Sequence, residues 1–318
     1  MKRFGIIGVG GFVAPRHLKA ISDTGNDLVV AMDTNDSVGV MDSYFPKSEF
    51  FTDFEHFRDF VLEEKARGRG LDFMSICSPN HLHFSHIKFA LENNINVICE
   101  KPLVLYSSDI LALQDYEKTS DAVVYTILQL RLHPAILELK KKVESSVEDK
   151  VHNVALTYIT SRGKWYIRSW KGSEEKSGGV ATNIGVHFYD MLQFIFGPVV
   201  KNEVHHRDQR TCSGLLHFDR AVVNWFLSID SDYLPQSAVT ANAVTHRSIE
   251  IDGEDFEFSK GFTDLHLESY LEILAGRGFG LDENVIAIET VETIRDANIT
   301  DDSANLHPLM YKIKFDQC

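Results

Sequence analysis

One lysine and one histidine segment carry the residue types most suited to chemistry. Lys101 ends the run Val97, Ile98, Cys99, Glu100, Lys101, Pro102, where an apolar, partly β-branched stretch meets an acid, a base and a proline. Such a run reads as a buried strand leaving its sheet. Proline keeps the preceding residue out of helical conformation, so the lysine is held at the strand's end. In an open parallel sheet that end is where ligands bind, although a lone lysine there is as readily a solvated side chain. An ammonium beside a developing alkoxide stabilises it, and a lysine neutralised by burial next to a cation can act as a base. Glu100 would offset that neutralisation or hydrogen-bond a cofactor. The second segment runs Gly178, Gly179, Val180, Ala181, Thr182, Asn183, Ile184, Gly185, Val186, His187, with Asp190 behind it. Asn183 and His187 are four apart and share a face on a helix or its first turn. An isolated helical histidine is more often structural than catalytic.

A nucleotide site is written at the start of the chain. Arg3 to Gly8 reads as a strand, Gly8, Gly10, Gly11, Phe12 and Val13 as a turn, and about Ala14 to Thr24 as a helix. Glycines allow a tight bend and close backbone approach, and the helix offers free N–H groups to a pyrophosphate. Val13 occupies the third small position of the usual glycine pattern, so helix and strand are expected to pack slightly apart. The second strand, Leu28 to Met32, ends in Asp33, 23 residues after Gly10. A carboxylate there accepts the ribose hydroxyls of an adenosine and repels a 2′-phosphate. Thr34, Asn35 and Asp36 follow with no arginine, which favours NAD over NADP.

These sites need a frame of alternating strands and helices. A helix from Asp53 to Arg67, a strand from Asp72 to Cys77, a helix from about Phe84 to Asn93, the strand leading to Lys101, a helix capped by Ser107 or Ser108, and a strand from Ala122 to Leu128 give a parallel, doubly wound sheet. Between them lie Ser78, Asn80, His81, His83 and His86. The histidines have metal-like spacing but no carboxylate or thiolate beside them, so no metal is expected. Hydrogen bonding near the nicotinamide end of a cofactor suits them better. From Gln129, Arg131 and Pro134 the pattern changes to runs of strands: Val199 to Arg210, Ser213 to Phe218, Ala221 to Ile229, Ala238 to Thr245, Arg247 to Ile251 and Asp255 to Phe258. Asp252 and Gly253 make a hairpin turn, and helices over about 264–275 and 284–297 close this second domain. The expected division is 1–128 and 129–318.

Composition bounds what the molecule can meet. A chain of 318 residues with 46 acids against 32 bases, net −14, has no general affinity for nucleic acid or anionic membranes. No apolar stretch is long enough to span a bilayer. Cys77, Cys99, Cys212 and Cys318 lack paired spacing, so a reducing compartment, the cytoplasm, and no disulfide framework are expected. Within this acidic chain, Arg162, Lys164, Trp165, Tyr166, Arg168, Trp170 and Lys171 gather four cations and three aromatics. Such a segment suits a diphosphate and a stacked base or sugar, and equally suits a subunit interface. Long antiparallel sheets commonly pair between subunits, so a homodimer or homotetramer is expected.

The glycine turn, Ser78 to Asn80 with His83, the triplet Glu100, Lys101, Pro102, and Gln129 with Arg131 and Pro134 resemble the glucose–fructose oxidoreductase, inositol dehydrogenase and rhizopine catabolism family of NAD(P)-dependent enzymes. Around Phe12 to Leu18 and Arg162 to Gly185 the likeness is to its UDP-N-acetylglucosaminuronate 3-dehydrogenases of bacterial surface-polysaccharide (O-antigen) synthesis. The resemblance implies an N-terminal Rossmann domain and a C-terminal α+β domain whose large, mostly antiparallel sheet carries substrate contacts and subunit packing. It implies cofactor contacts at Ser78, Asn80, His83, Glu100, Lys101 and Gln129, and substrate contacts at Lys101, Arg131, Lys164, Tyr166, Trp170, Lys171, Asn183 and His187. It also gives His187 the substrate's hydroxyl proton, with Lys101 the alternative base, and 2-oxoglutarate as a hydride acceptor. Many relatives place aspartate where this chain has Asn183, and an amide can orient a hydroxyl but not take its proton. A free polyol such as inositol would use the same pair without the cationic segment. A cofactor-bound sensor without turnover would need neither.

Overall fold

The computed structural model describes residues 1–147, 150–258, 264–300 and 305–316. The chain forms two compact units, Met1–Leu132 with Thr263–Val285, and His133–Phe262 with Ile286–Cys318. The division near residue 128 expected from sequence differs from this partition because Thr263–Val285 belongs with the first unit.

The first unit is built on six parallel strands: β1 (Arg3–Ile7), β2 (Asp27–Met32), β3 (Glu49–Phe51), β4 (Phe73–Ile76), β5 (Asn96–Cys99) and β6 (Val124–Thr126), in the order β3-β2-β1-β4-β5-β6. Helices α1 (Ala14–Asp23), α2 (Phe54–Ala66), α3 (His83–Glu92) and α4 (Ser107–Lys118) link β1 to β2, β3 to β4, β4 to β5 and β5 to β6. Strands covered on both faces read as short apolar runs, and β1, β4 and β5 are buried over nearly their whole length. This strand order reverses direction between β1 and β4, which opens a crevice at their carboxyl ends. The core joins Phe4, Ile6, Leu18, Ile21 and Ile98 to Tyr270 and Ile273 of the helix Leu265–Leu274.

The second unit carries a six-stranded sheet in the order β12-β11-β7-β10-β9-β8, formed by β7 (His152–Thr160), β8 (Val199–Arg207), β9 (Thr211–Phe218), β10 (Ala221–Ser228), β11 (Thr245–Ile251) and β12 (Glu254–Asp255). Only β7 and β10 run parallel; every other pair is antiparallel. The helix Val186–Phe196 lies on one face, where Tyr189 meets Trp225 edge-on. Leu306 and Met310 cover Ile159 and Phe226.

Several sequence expectations are corrected. Ala238 to Thr245 is not a strand: Pro235 starts the short helix Gln236–Thr240, Asn242 takes a positive φ of 52°, and β11 begins at Thr245. The strand expected over 255–258 shrinks to Glu254–Asp255 beside its Asp252–Gly253 turn. Neither Ser107 nor Ser108 caps α4, because Tyr106 is the N-cap residue and no side chain caps it. The strand expected over 122–128 is only Val124–Thr126. β3 and β7 escaped notice, the first for its brevity and the second because His152, Thr157 and Thr160 interrupt its apolar pattern. Cys77, Cys99 and Cys212 are buried free thiols, and Cys318 lies outside the described residues. No described helix is long and apolar enough to cross a membrane.

Candidate active site

The turn after β1 is shaped by backbone proximity. Gly8 has φ +88°, and a Cβ there would lie 2.5 Å from the Cys77 carbonyl carbon, so only glycine fits. Gly10 donates its N–H to Asp33 Oδ2 at 2.9 Å, and Asp33 Oδ1 accepts the Asn35 N–H at 2.9 Å. The carboxylate at the end of β2 is thus fixed beside the turn. Helix α1 starts after Val13 with no side-chain cap and no acid in its first turn; Ala14 and Arg16 give their N–H groups to the Gly11 and Val13 carbonyls and Pro15 has none, so what the helix start offers an anion is its dipole. Phe12 is 80% exposed at the tip of the turn, with the Arg16 guanidinium 5.9 Å from its ring centre. Thr34 is exposed beside Asp33. A glycine cradle, an uncapped helix start and an acid at the end of β2 together fit a dinucleotide.

The carboxyl ends of β4 and β5 are braced by buried polar groups. His83 braces the loop: its Nδ1 is 2.8 Å from the Pro102 carbonyl and its Nε2 2.9 Å from that of Ser78, so both ring nitrogens face the protein's own backbone. Burial lowers its pKa, so the neutral ring donates to one carbonyl at a time. Ser78 Oγ meets His86 Nδ1 at 2.9 Å, and burial pushes His86 down to about 4. His81 is exposed, and Asn80 is buried at the loop's start. Lys101 is half-buried directly after Glu100, and its peptide bond to Pro102 is cis.

Glu100 is the centre of a network that the sequence reading missed. Its Oε1 lies 3.0 Å from His17 Nε2 and 2.9 Å from His266 Nε2; His17 Nδ1 lies 2.8 Å from the Tyr270 hydroxyl, which is 2.7 Å from Ser75 Oγ. All five side chains are buried. Burial alone would raise the Glu100 pKa, but the N–H donors from His17 and His266 hold it well below the carboxylate range; burial likewise lowers His17. An ionised carboxylate only accepts, so both histidines donate from Nε2, the Tyr270 hydroxyl donates to His17 Nδ1, and Ser75 donates to Tyr270. His17, Glu100 and His266 are metal-ligating types with ligand atoms within 4.8 Å of one another, and the two Glu100 separations are hydrogen-bond distances. The signal in the sequence was His17 on the apolar face of α1 and the four-residue spacing of His266 and Tyr270.

Gln129 and Arg131 fall on a short turn, Gln129–Leu132, beyond β6. Arg131 donates to the Glu283 carbonyl at 3.0 Å and stands 5.2 Å from the Phe279 ring centre. Both partners are in the first unit.

In the second unit the basic aromatic segment folds into the helix Lys164–Arg168 and the turn Trp170–Gly172. Lys171 Nζ is 4.1 Å from the Trp170 ring centre, and burial lowers its pKa, with Arg162 adding to the effect. Lys164 is exposed, and Tyr166 is buried with its hydroxyl accepting from Asn183 Nδ2 at 2.6 Å. Asn183 and His187 do not share a continuous helix. One helix ends at Asn183 and the next starts at Val186, and between them Gly185 sits so close to Ala181 and Leu227 that a Cβ would lie 2.5 Å from the Ala181 oxygen. His187 is half-buried, its ring 4.2 Å from that of Phe188, and Asp190 is buried behind it.

Comparison with known proteins agrees with this geometry. Residues 2–127 match the model of an oxidoreductase family's NAD-binding Rossmann fold, and residues 140–231 match the same family's C-terminal α/β domain. The crystal structure of the WlbA (WbpB) dehydrogenase from Thermus thermophilus in complex with NAD and α-ketoglutarate is 46% identical, with a TM-score of 0.94, covering 97% of this chain and 100% of that one. A second structure of that dehydrogenase, with NAD and UDP-GlcNAcA, has 46% identity, a TM-score of 0.93 and the same coverage. The myo-inositol 2-dehydrogenase of Thermotoga maritima is 27% identical over 214 residues, which is 63% of this chain and 56% of that relative's length. This chain therefore belongs to the glucose–fructose oxidoreductase, inositol dehydrogenase and rhizopine catabolism family of oxidoreductases with an NAD-binding Rossmann fold.

Proposed function

We propose that this protein oxidises the C3 hydroxyl of UDP-N-acetylglucosaminuronate to the 3-keto sugar, using NAD, in bacterial surface-polysaccharide (O-antigen) sugar synthesis. The observation that carries the reading is full-length likeness at 46% identity to a dehydrogenase crystallised with NAD and UDP-GlcNAcA. NAD, when bound, accepts the hydride. Gly8, Gly10, Gly11, Phe12, Val13 and the start of α1 hold its pyrophosphate, Asp33 and Thr34 its adenosine ribose, and Ser78, Asn80, Glu100, Lys101 and Gln129 its nicotinamide half. His187 takes the hydroxyl proton, because an imidazole's ordinary pKa lies near working pH. Lys101 presents an ammonium to the alkoxide that develops as the proton leaves. Asn183, held by Tyr166, orients a substrate hydroxyl, and Lys164, Trp170 and Lys171 take the anionic diphosphate and a stacked ring. Arg131 contributes less, since part of its guanidinium is committed to Glu283 and Phe279.

A 2-oxo acid such as 2-oxoglutarate is the proposed final hydride acceptor, supported by the α-ketoglutarate complex of the same relative. The buried thiols support a reducing, cytoplasmic location, and the large, mostly antiparallel second sheet supports a homodimer or homotetramer. Incubation with UDP-N-acetylglucosaminuronate and 2-oxoglutarate should yield a nucleotide sugar lighter by two hydrogens together with 2-hydroxyglutarate. An unchanged nucleotide sugar rejects the proposal. The second reading, oxidation of a free polyol, is favoured by the myo-inositol 2-dehydrogenase match; turnover of inositol with indifference to Lys164 and Lys171 substitutions would select it.

A further inference from the structure

Glu100 precedes the proposed alkoxide-stabilising lysine and is buried as an anion, a state that persists only where the protein supplies donors. Those donors come from two elements far apart in sequence: His17 on α1, and His266 on the helix Leu265–Leu274. Tyr270 on the same late helix fixes the His17 tautomer from the other side of its ring. Such a chain, fully satisfied and one-directional, costs more to build than an apolar contact of the same volume, so packing alone does not account for it. We propose that His17, His266 and Tyr270 are positioning residues for the reaction: they keep Glu100 ionised and fixed at the end of β5, and Glu100 in turn fixes Lys101 through the backbone N–H that its Oε2 accepts at 3.3 Å. This inference rests on the role proposed for Lys101.

The groups that face Glu100 come from several elements. His17, with Arg16 beside it, lies on α1; His266 and Tyr270 lie on the late helix. Cys77 follows β4, His83 starts α3, and Cys99 and Lys101 flank Glu100 in sequence. Burial raises the thiols of Cys77 and Cys99 and the phenol of Tyr270, so none of the three ionises near neutrality. Removing one histidine donor leaves burial in control of Glu100, and its folded pKa moves up toward working pH.

Two His266 variants separate positioning from packing. H266L removes the N–H, whereas H266Q keeps a donor of similar reach. For H266L, kcat followed between about pH 5 and about pH 9 should show a new acid-side loss, about tenfold near pH 6, that recovers at higher pH while the KM for NAD stays within about twofold. H266Q should follow the unsubstituted profile. If H266L does not fold, Y270F, which removes one oxygen atom, carries the test with a smaller loss of the same shape. Coincident profiles for H266L and H266Q, or an unshifted Y270F profile where it is the deciding variant, overturn the inference. Melting temperature against pH keeps this separate from the substrate. A carboxylate held low contributes stability that is present above its unfolded pKa and lost as pH falls through its folded pKa. In H266L the folded pKa lies above the unfolded one, so that variant gains stability as pH falls between the two; the gap in Tm between the unsubstituted protein and H266L should therefore narrow from about pH 7 to about pH 5, and the gap for H266Q should not. Silence of the unsubstituted protein on every acidic nucleotide sugar would reject the proposed function and leave the melting curves to decide this inference.

Discussion

The nucleotide end of the first unit and the basic segment of the second are built to opposite rules. Around Gly8, Asp33 and Glu100, polar atoms are directed at one another over 2.7 to 3.0 Å, at the surface beside Asp33 and buried around Glu100. Along 162–171, Lys164, Arg168 and Lys171 lie on short helical turns and Lys171 meets the rings of Trp165 and Trp170; among the described residues none of Arg162, Lys164, Arg168 and Lys171 forms an ion pair. A site whose donors are already aligned gains little by moving when its ligand binds, which suits a cofactor common to a whole family. A segment rich in cations without carboxylate partners keeps its charge for an anion from solution, which suits the variable half of a reaction.

Substitutions should follow this contrast in size and kind. The largest effects are expected for K101A and H187A, each lowering kcat about 10²- to 10⁴-fold with folding intact, measured by steady-state kinetics beside circular dichroism. Retained turnover in both would favour the sensor reading. Next, G8A forces a Cβ against the Cys77 carbonyl at positive φ and should destabilise the first unit by about 1–3 kcal/mol and abolish NAD binding, measured by urea melts and fluorescence quenching. D33A should weaken NAD about tenfold or more while narrowing the preference over NADP, a change seen in paired titrations. K171A and K164A should raise the KM for the nucleotide sugar about tenfold and leave kcat nearly unchanged, because surface cations bind ground and transition states alike. Smallest is Y166F, expected to cost about two- to fivefold in kcat by freeing Asn183 from its 2.6 Å partner. A Y166F effect as large as that of H187A would erase the distinction between the two regions.

The sequence revealed more of the first unit than of the second, for a physical reason. Strands buried on both faces and joined by amphipathic helices leave periodic runs, and the glycine turn with Asp33 23 residues on is a local pattern. The second sheet mixes one parallel pair with polar interruptions such as His152 and Thr157, so β7 left no clear alternation. The turn that joins Gly10 to Asp33 was legible because a local pattern supplies it. The Glu100 network was not, because His17, Ser75, Glu100, His266 and Tyr270 are brought together by tertiary structure across a span from residue 17 to residue 270. The bracing by His83 was hidden for the same reason: only the fold shows its ring held between two backbone carbonyls. The close packing of Gly185 against Leu227 was equally hidden, since the two are 42 residues apart in sequence.

The most direct test of the central claim follows one atom. UDP-N-acetylglucosaminuronate deuterated at C3 is incubated with the enzyme, NAD and 2-oxoglutarate, and the products are read by mass spectrometry and proton NMR. The account predicts deuterium on C2 of 2-hydroxyglutarate and a 3-keto nucleotide sugar that has lost it. Deuterium remaining at C3 while the sugar is turned over, or no turnover of this sugar beside active oxidation of inositol, would contradict it.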